Sequence, residues 1–408
     1  MNFAPLGEHA TLIRGITFKP SDKCDPGTPG SVVCLRTSNI QEKLDESDLI
    51  AVPSTLVKSS EKHVRLGDVL VSSANSWNLV GKCCRVSSLR FASTAGGFIS
   101  ILRPTTDALD PSYLYRWFSW ERTQDAVRSF GRQTTNISNL DHKRTLLMSV
   151  PLPPLDVQKR IAEILDAADV LKAKRQASIT TLDSLVQSTF LEMFGDPIRN
   201  PKMWDVSPLG ELGTLVNGRA FKASEWEETG VPIIRIQNLN NSEKPFNYTT
   251  HTWPHKFFAR TGDVLLSWSG TPGTSFGCFR WRGPDGWVNQ HIFRVEVSPS
   301  IDATYYIHAV NARLAQIIQK AHGGVGLKHI TKSKLESVEV AVPPVSLQSR
   351  FASFCKSVET QKARLSAQYS ELESLFSALQ SLAFNGELLS AVRLGRPVTA
   401  KKREGEET

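Results

Sequence analysis

Two pairs of short polar segments carry the residue types best suited to touching a nucleic acid. In the first pair, Ser72-Ser73-Ala74-Asn75-Ser76-Trp77-Asn78 matches Ser267-Trp268-Ser269-Gly270-Thr271-Pro272, each directly behind a Gly-Asp-Val-Leu run. Hydroxyls and amides at a strand end can hydrogen-bond base edges or phosphates, and an indole can stack on a base. In the second pair, Gly131-Arg132-Gln133-Thr134-Thr135-Asn136-Ile137 matches Gly323-Gly324-Val325-Gly326-Leu327-Lys328-His329-Ile330. Lys143 and Arg144 follow the first of these, and Lys332 and Lys334 the second. Arg and Gln pair bidentately with guanine and adenine, and Lys and Arg hold phosphates. The candidate contact residues are therefore Ser72, Asn75, Ser76, Trp77, Arg132, Gln133, Thr134, Asn136, Lys143 and Arg144, and then Ser267, Trp268, Ser269, Thr271, Lys328, His329, Lys332 and Lys334. Taken one residue at a time, solvated surface turns would read the same way.

Motifs for covalent chemistry are missing. Gly81-Lys82 is followed by Cys83 and lacks a phosphate-binding loop before it, and neither a G-x-S-x-G elbow nor H-E-x-x-H occurs. His251 and His255 are separated by Trp253-Pro254, which argues against a helical metal pair. No Asn-Pro-Pro-Tyr or Asp-Pro-Pro-Tyr run of an adenine methyltransferase is present: Pro153-Pro154 leads into Leu155-Asp156, and Pro343-Pro344 into Val345-Ser346. Cys24, Cys34, Cys83, Cys84, Cys278 and Cys355 form no C-x-x-C pair, so reduced thiols are expected, with neither a disulfide frame nor a metal site. These absences point to a binding protein, not an enzyme.

The segments that must position the polar loops occur twice. Pro5-Leu6-Gly7-Glu8 returns as Pro208-Leu209-Gly210-Glu211, and Gly15 with Phe18-Lys19 returns as Gly218 with Phe221-Lys222. Gly67-Asp68-Val69-Leu70 returns as Gly262-Asp263-Val264-Leu265, and Pro153-Pro154 with Gln158 and Arg160 returns as Pro343-Pro344 with Gln348 and Arg350. Short β-branched runs such as Ser31–Leu35 and Val231–Ile236, bounded by Gly, Pro, Asp and Ser, predict strands in each copy. Short helices are predicted from Pro111 to about Arg128 and from Thr304 to about Lys320.

Each copy ends in a segment free of Pro and Gly, Asp156 to Phe194 and Ser346 to Phe384. In the first, Asp156 is the expected cap, and Ile161, Ile164, Leu165, Ala168, Leu171, Leu182, Leu185 and Val186 form a stripe interrupted around Arg175 and Ser178. In the second, Phe351, Val358, Leu365, Leu372 and Leu379 recur every seven residues, with Phe354, Leu375 and Leu382 at the other seam position. The residues expected to pack the helices together are Ile161, Ala168, Leu171, Leu182, Leu185, Phe351, Val358, Leu365, Leu372 and Leu379. Since a two-fold axis reverses one copy against the other, the pair is expected to be antiparallel. The duplication therefore predicts an α+β chain of two similar mixed α/β domains separated by a coiled-coil spacer of two long helices, with pseudo-two-fold symmetry.

With 408 residues, 40% of them hydrophobic and 22% charged, the chain can bury more than one core. Its net charge of +8 sits mainly in the two copies, which hold 18 Lys/Arg against 14 Asp/Glu in residues 1–155 and 16 against 13 in residues 195–345. That basicity suits a phosphate backbone, although an excess this small on about 150 residues is also routine. No apolar run is long enough to span a bilayer and no secretory signal opens the chain, so the cytoplasm is the expected location.

The arrangement resembles the specificity (S) subunit of type I restriction-modification systems. The resemblance covers residues 1–390 and is carried by Val150–Ile161, its relaxed copy Val342–Phe351, the helix end Phe194-Gly195-Asp196-Pro197, the Gly131–Ile137 segment, and Val288-Asn289-Gln290. It implies two target recognition domains, each reading one half of a split DNA sequence, and adds Asn289 and Gln290 to the candidate contacts. Phe91-Ala92-Ser93-Thr94 is the segment of the first copy that aligns with them, and it lacks Asn-Gln. The implied organisation is recognition domain 1–154, helix 155–196, recognition domain 197–344, helix 345–386 and a disordered tail 387–408. The implied partners are double-stranded DNA, two methyltransferase (modification) subunits and restriction subunits, with no membrane. No cofactor is expected in this subunit; S-adenosylmethionine, ATP and magnesium would be held by partners. Two other readings stay open on the residues alone: a coiled-coil scaffold binding protein or peptide, and an enzyme with a cryptic active site, such as a nuclease.

Overall fold

The computed structural model describes residues 2–133, 137–241, 244–270, 275–319 and 328–387. The candidate contacts Thr134, Asn136 and Thr271, the side chains of Arg132, Gln133 and Lys328, and the tail beyond Glu387 lie outside the described residues. The chain forms two compact units, residues 1–175 with 368–408, and residues 176–367, so the division falls inside both long helices.

In the first unit a four-stranded antiparallel sheet has the order Ala10–Arg14, Ile99–Pro104, Val69–Ser72, Cys83–Arg85. The Val69–Ser72 strand is buried along its whole length, which explains its unbroken Val-Leu-Val run. A three-stranded sheet places Ser31–Leu35 between Ala51–Pro53 and a parallel Ser93–Ala95. Phe3–Pro5 pairs with Ser149–Pro151, bringing the start of the copy to the foot of its long helix.

The second unit repeats this plan. Its first sheet runs Gly213–Asn217, Ile292–Val297, Val264–Ser267, Gly277–Arg280, and its second centres on Val231–Ile234 parallel to Gly286–Val288. Val206–Pro208 pairs with Glu339–Ala341, as Phe3–Pro5 does in the first unit. Fully buried Tyr113 and Tyr305 occupy matching places and donate their hydroxyls to Pro151 O and Ala341 O.

The short helices differ from expectation in one respect. Each is split in two: Pro111–Phe118 and Glu121–Phe130, then Ala303–Ala312 and Leu314–Gln319. In the first unit the Gln124 amide donates to Phe118 O at 2.7 Å, occupying a carbonyl that a continuing helix would use, and extended Trp120 packs on Phe384. At the break in the second, Arg313 donates to Pro197 O.

The long helices are unbroken, Leu155–Phe194 and Val345–Phe384, 40 residues each. Asp156 lies inside the first turn and is not the cap. The first turn is held instead by Gln158, whose amide donates to Pro153 O at 2.9 Å, and Gln348 does the same to Pro343 O at 2.8 Å. Left-handed Gly195 (φ +82°) and Gly386 (φ +86°) follow the ends, a conformation that favours glycine.

Within each unit, segments of the two helices run antiparallel. In the first, Ile161, Leu165 and Ala168 share a core with Leu379, Ala383 and Phe384, while Lys172 meets Phe376. In the second, Phe190 and Phe194 pack on Phe351, and Asp183 pairs with Lys362. The seam differs from the sequence reading. Leu171 is 53% exposed, Leu185 43% and Leu375 45%, so none of the three is a seam residue. Among the less exposed positions, Ile161, Leu165, Ala168, Lys172, Arg175, Ile179, Leu182 and Val186 recur in a regular alternation of three and four, so Lys172 and Arg175 continue the seam where an interruption was expected. Long aliphatic stems allow these cations to fill such positions; the Lys172 ammonium lies 4.9 Å over the Phe376 ring, and Arg175 Nε is buried. On the second helix Phe351, Val358, Leu365 and Leu379 are buried and Leu372 is half-buried, as expected, but their companions are Cys355, Lys362, Tyr369, Phe376 and Ala383.

Candidate nucleic-acid interface

Each unit hydrogen-bonds its two candidate loops to one another. In the first, Ala74–Asn75 pairs with Ser138–Asn139, which pairs in turn with Arg132–Gln133. In the second, Ser269–Gly270 pairs with Lys328–His329. Segments some 60 residues apart in sequence thus form one small ladder at the end of the main sheet in each unit.

Within the first ladder Asn75 donates its amide to Ser72 Oγ at 3.2 Å and accepts the Ser76 N–H at 2.9 Å. Ser76 Oγ donates to Asn78 Oδ1, and Trp77 stands 51% exposed beside them. Behind the ladder runs a chain that the sequence did not single out: Ser73 Oγ donates to Ser100 Oγ at 2.6 Å, Ser100 meets His142 Nε2 at 3.0 Å, and Arg14 reaches His142 Nδ1 at 3.5 Å. Burial first, and then the Arg14 charge, hold the His142 imidazole below its ordinary pKa, with Asp141 opposing. His142 opens a short helix capped by Asp141, on which Lys143 and Arg144 are exposed, Arg144 lying 4.4 Å over the Phe130 ring.

The second ladder has a different lining. Trp268 stacks on Phe293 at 5.7 Å and packs beside His291 and His329. Ser269 Oγ meets His329 Nδ1 at 2.6 Å. Trp268 Nε1 and His291 Nδ1 are both buried without a hydrogen-bond partner. Burial, and then His329, depress the His291 pKa. Lys332 is exposed within 3.5 Å of Glu336, and Lys334 is half-buried.

Three candidate contacts do not face outward. Ser72 and Ser267 are 1% exposed and Ser269 is 3% exposed, with hydroxyls engaged by Asn75, Ser275 O and His329. They shape the ladders and cannot reach a ligand directly, because the alternation of a buried strand turns them inward.

Asn289 and Gln290 lie beside the second ladder. Gly218 N–H donates to Ile292 O, and Arg219 bridges in parallel to Asn289. In the first unit Gly15 N–H donates to Ile99 O, and Ile16 bridges to Gly96. The structural counterpart of Asn289-Gln290-His291 is therefore Gly96-Gly97-Phe98, which corrects the alignment with Phe91–Thr94. A Cβ on Gly15 or Gly218 would sit 2.2 Å from the carbonyl oxygen of Gly96 or Asn289, so both glycines are required by close backbone approach. Phe98 is 64% exposed where the second unit carries half-buried His291. Arg219 is fixed by a bidentate pair with Glu225 (2.7 and 3.1 Å) and lies 4.2 Å over Trp253. The Arg219 guanidinium and the Lys222 N–H hold the Glu225 carboxyl down at about 2. Gln290 is exposed.

Among the described residues no cluster of three or more His, Cys, Asp or Glu could hold a metal, and no helix is long and apolar enough to cross a membrane. All six cysteines are free.

The family model described as the type I restriction modification DNA specificity domain matches residues 1–181 and 201–374. The type I restriction enzyme EcoKI specificity subunit of Escherichia coli (strain K12) is 22% identical over 97% of this chain and 90% of its own length. The StySPI specificity subunit of Salmonella potsdam is 23% identical over the same shares. Two solved structures share the fold. One is a chain from work on complex assembly and conformational transition of the type I R-M system (TM-score 0.59, 18% identity, 95% of this chain and 98% of that one). The other is the type I restriction-modification S subunit from M. genitalium (TM-score 0.55, 13% identity, 94% and 96%).

Proposed function

This chain belongs to the type I restriction-modification DNA specificity family, and from that premise we propose that it reads a bipartite duplex target, one half with each ladder. The carrying observation is the pairing of loops within each unit, which gathers amides, a ring and cations at one sheet end. Affinity comes mainly from Lys and Arg on phosphates and is salt-dependent, while the exposed amides and rings supply base preference. The different residues at the two matched positions, Gly97-Phe98 and Gln290-His291, argue for half-sites of different sequence.

The chain contributes recognition, and its partners the chemistry. Two methyltransferase subunits dock on the long helices, and one adenine per half-site is flipped out of the stack for modification. S-adenosylmethionine, ATP and magnesium are bound by those partners and by restriction subunits. The unbroken helices, each about 60 Å long at the α-helical rise, support a role in setting the spacing between half-sites.

A selection of randomised duplexes on the full chain tests this reading. Two short enriched motifs at a fixed separation are expected, and removal of one turn from each helix should alter the separation but not the motifs. Binding without sequence preference would overturn it.

A further inference from the structure

Gln290 is exposed, but its amide is not free to choose an orientation. Its Nε2 lies 3.3 Å from His291 Nε2. An amide nitrogen can only donate, so the imidazole accepts through Nε2 and carries its proton on Nδ1. That Nδ1 is buried and has no partner, and the exchange therefore runs through Nε2 alone. The ring is set by its neighbours. His291 N–H donates to Asn289 Oδ1 at 3.4 Å, Trp268 packs against one side, and His329 faces it with ring centroids 6.2 Å apart. His329, bonded to Ser269 Oγ, is the titratable group turned toward His291 from the opposing strand. With one amide N–H spent on His291, Gln290 presents its carbonyl oxygen and its second N–H outward. Acceptor and donor together complement the N6 and N7 edge of adenine.

We propose that His291 is a positioning residue for base recognition by the second unit, holding Gln290 in the amide orientation that selects adenine. This rests on the reading of that unit as a DNA-contacting domain. A protonated His291 would donate from Nε2, and the Gln290 oxygen would have to turn inward to accept. Only N–H groups would then face outward, a pattern that suits the O6 and N7 acceptors of guanine. Burial first, and then the neighbouring His329, hold the His291 pKa below its ordinary value, so the adenine-selecting state is the one present at neutral pH. The first unit has Gly97-Phe98 at these positions and cannot make the switch.

The test is a randomised-duplex selection on the full chain at neutral pH and at about pH 5, below the ordinary imidazole range. At one position of the second half-site, adenine should be preferred over guanine at neutral pH, and the preference should fall about tenfold in acid, the equivalent of one good hydrogen bond. The first half-site should not change. His291→Phe, which places there the residue found in the first unit, should abolish the pH response, whereas His329→Gln should retain it. Gln290→Met, an exposed change that leaves the fold alone, should erase the adenine preference and spare the first half-site. Two enriched half-sites with a pH-independent second motif, or a pH response surviving His291→Phe, would overturn the proposal while leaving DNA recognition standing. Failure to enrich either half-site would remove the premise as well.

Discussion

Gln158 Oε1 accepts the backbone N–H of Asp110 at 2.9 Å, 48 residues away in sequence. The same amide donates to Ala108 O and Pro153 O, and Gln348 repeats the bond to Asp302 N at 2.8 Å. Both glutamines are buried, at 1% and 0% exposure, so the first turn of each long helix is fastened to the N-terminus of a domain helix by one polar side chain. Truncating either leaves backbone groups buried and unpaired. Gln158→Ala and Gln348→Ala should each cost about 1–3 kcal/mol, read as a lowered urea midpoint. Hydrogen exchange should show the loss first in the unit that carries the substitution.

The two domain helices meet the long helices through different chemistry. Arg116, with its side chain 6% exposed, bonds Asp166 at 2.6 Å and Asp169 at 3.2 Å and lies over Tyr115 and Phe376. Its counterpart His308 packs on Phe351 and Phe190 and faces Cys355. Arg116→Ala should destabilise the first unit by about 2–3 kcal/mol, below the 3–5 of a fully buried pair because Asp166 and Asp169 keep 33% and 44% of their surface in water. His308→Ala strands no charge and should cost only about 1–2 kcal/mol. Denaturant unfolding of the two variants compares them, and an Arg116 variant no weaker than the His308 one would show that the ion pairs add nothing.

Much of this architecture was written in the repeats. Pro-Leu-Gly-Glu, Gly-Asp-Val-Leu and Pro-Pro with Gln mark strands, turns and helix starts that recur in both units, and the matched loops did come together. Helix phase was harder to read. Leu171, Leu185 and Leu375 look like seam residues by type, yet Lys172, Arg175 and Lys362 take the seam, because side-chain direction is fixed by turn geometry and long stems tolerate either setting. The counterpart of Asn289-Gln290 was illegible for another reason. Gly96-Gly97-Phe98 shares no residue type with it, and the likeness lies in the backbone contact to Gly15 and Gly218, which only coordinates reveal. Nothing in the sequence marks His142 or His291, because the neighbours of each are brought together only by the fold.

That seam makes a sharp contrast available. Leu365 is 7% exposed, while Leu171 and Leu375 are 53% and 45% exposed. Leu365→Ala should cost about 2–4 kcal/mol, and Leu171→Ala or Leu375→Ala less than about 1 kcal/mol in the isolated chain. Thermal unfolding ranks the three directly. Equal losses would return the seam to the phase suggested by residue type.

Phosphate contacts and base contacts separate by their response to salt. Lys143 and Lys332 are exposed on the short helices that follow each ladder, and neither position faces a core. A lysine that neutralises one phosphate releases its counterion, which contributes about 0.9 to the slope of log affinity against log salt. Lys143→Ala and Lys332→Ala should each lower that slope by about 0.9 and weaken all duplexes alike, leaving the selected motifs intact. Trp77→Ala should do the reverse, weakening binding at every salt concentration with little change in slope, because a stacked ring releases no ions. Fluorescence anisotropy across a salt series distinguishes the two patterns. A lysine variant that shifts the preferred sequence while keeping the slope would move that residue from the phosphate backbone to a base edge.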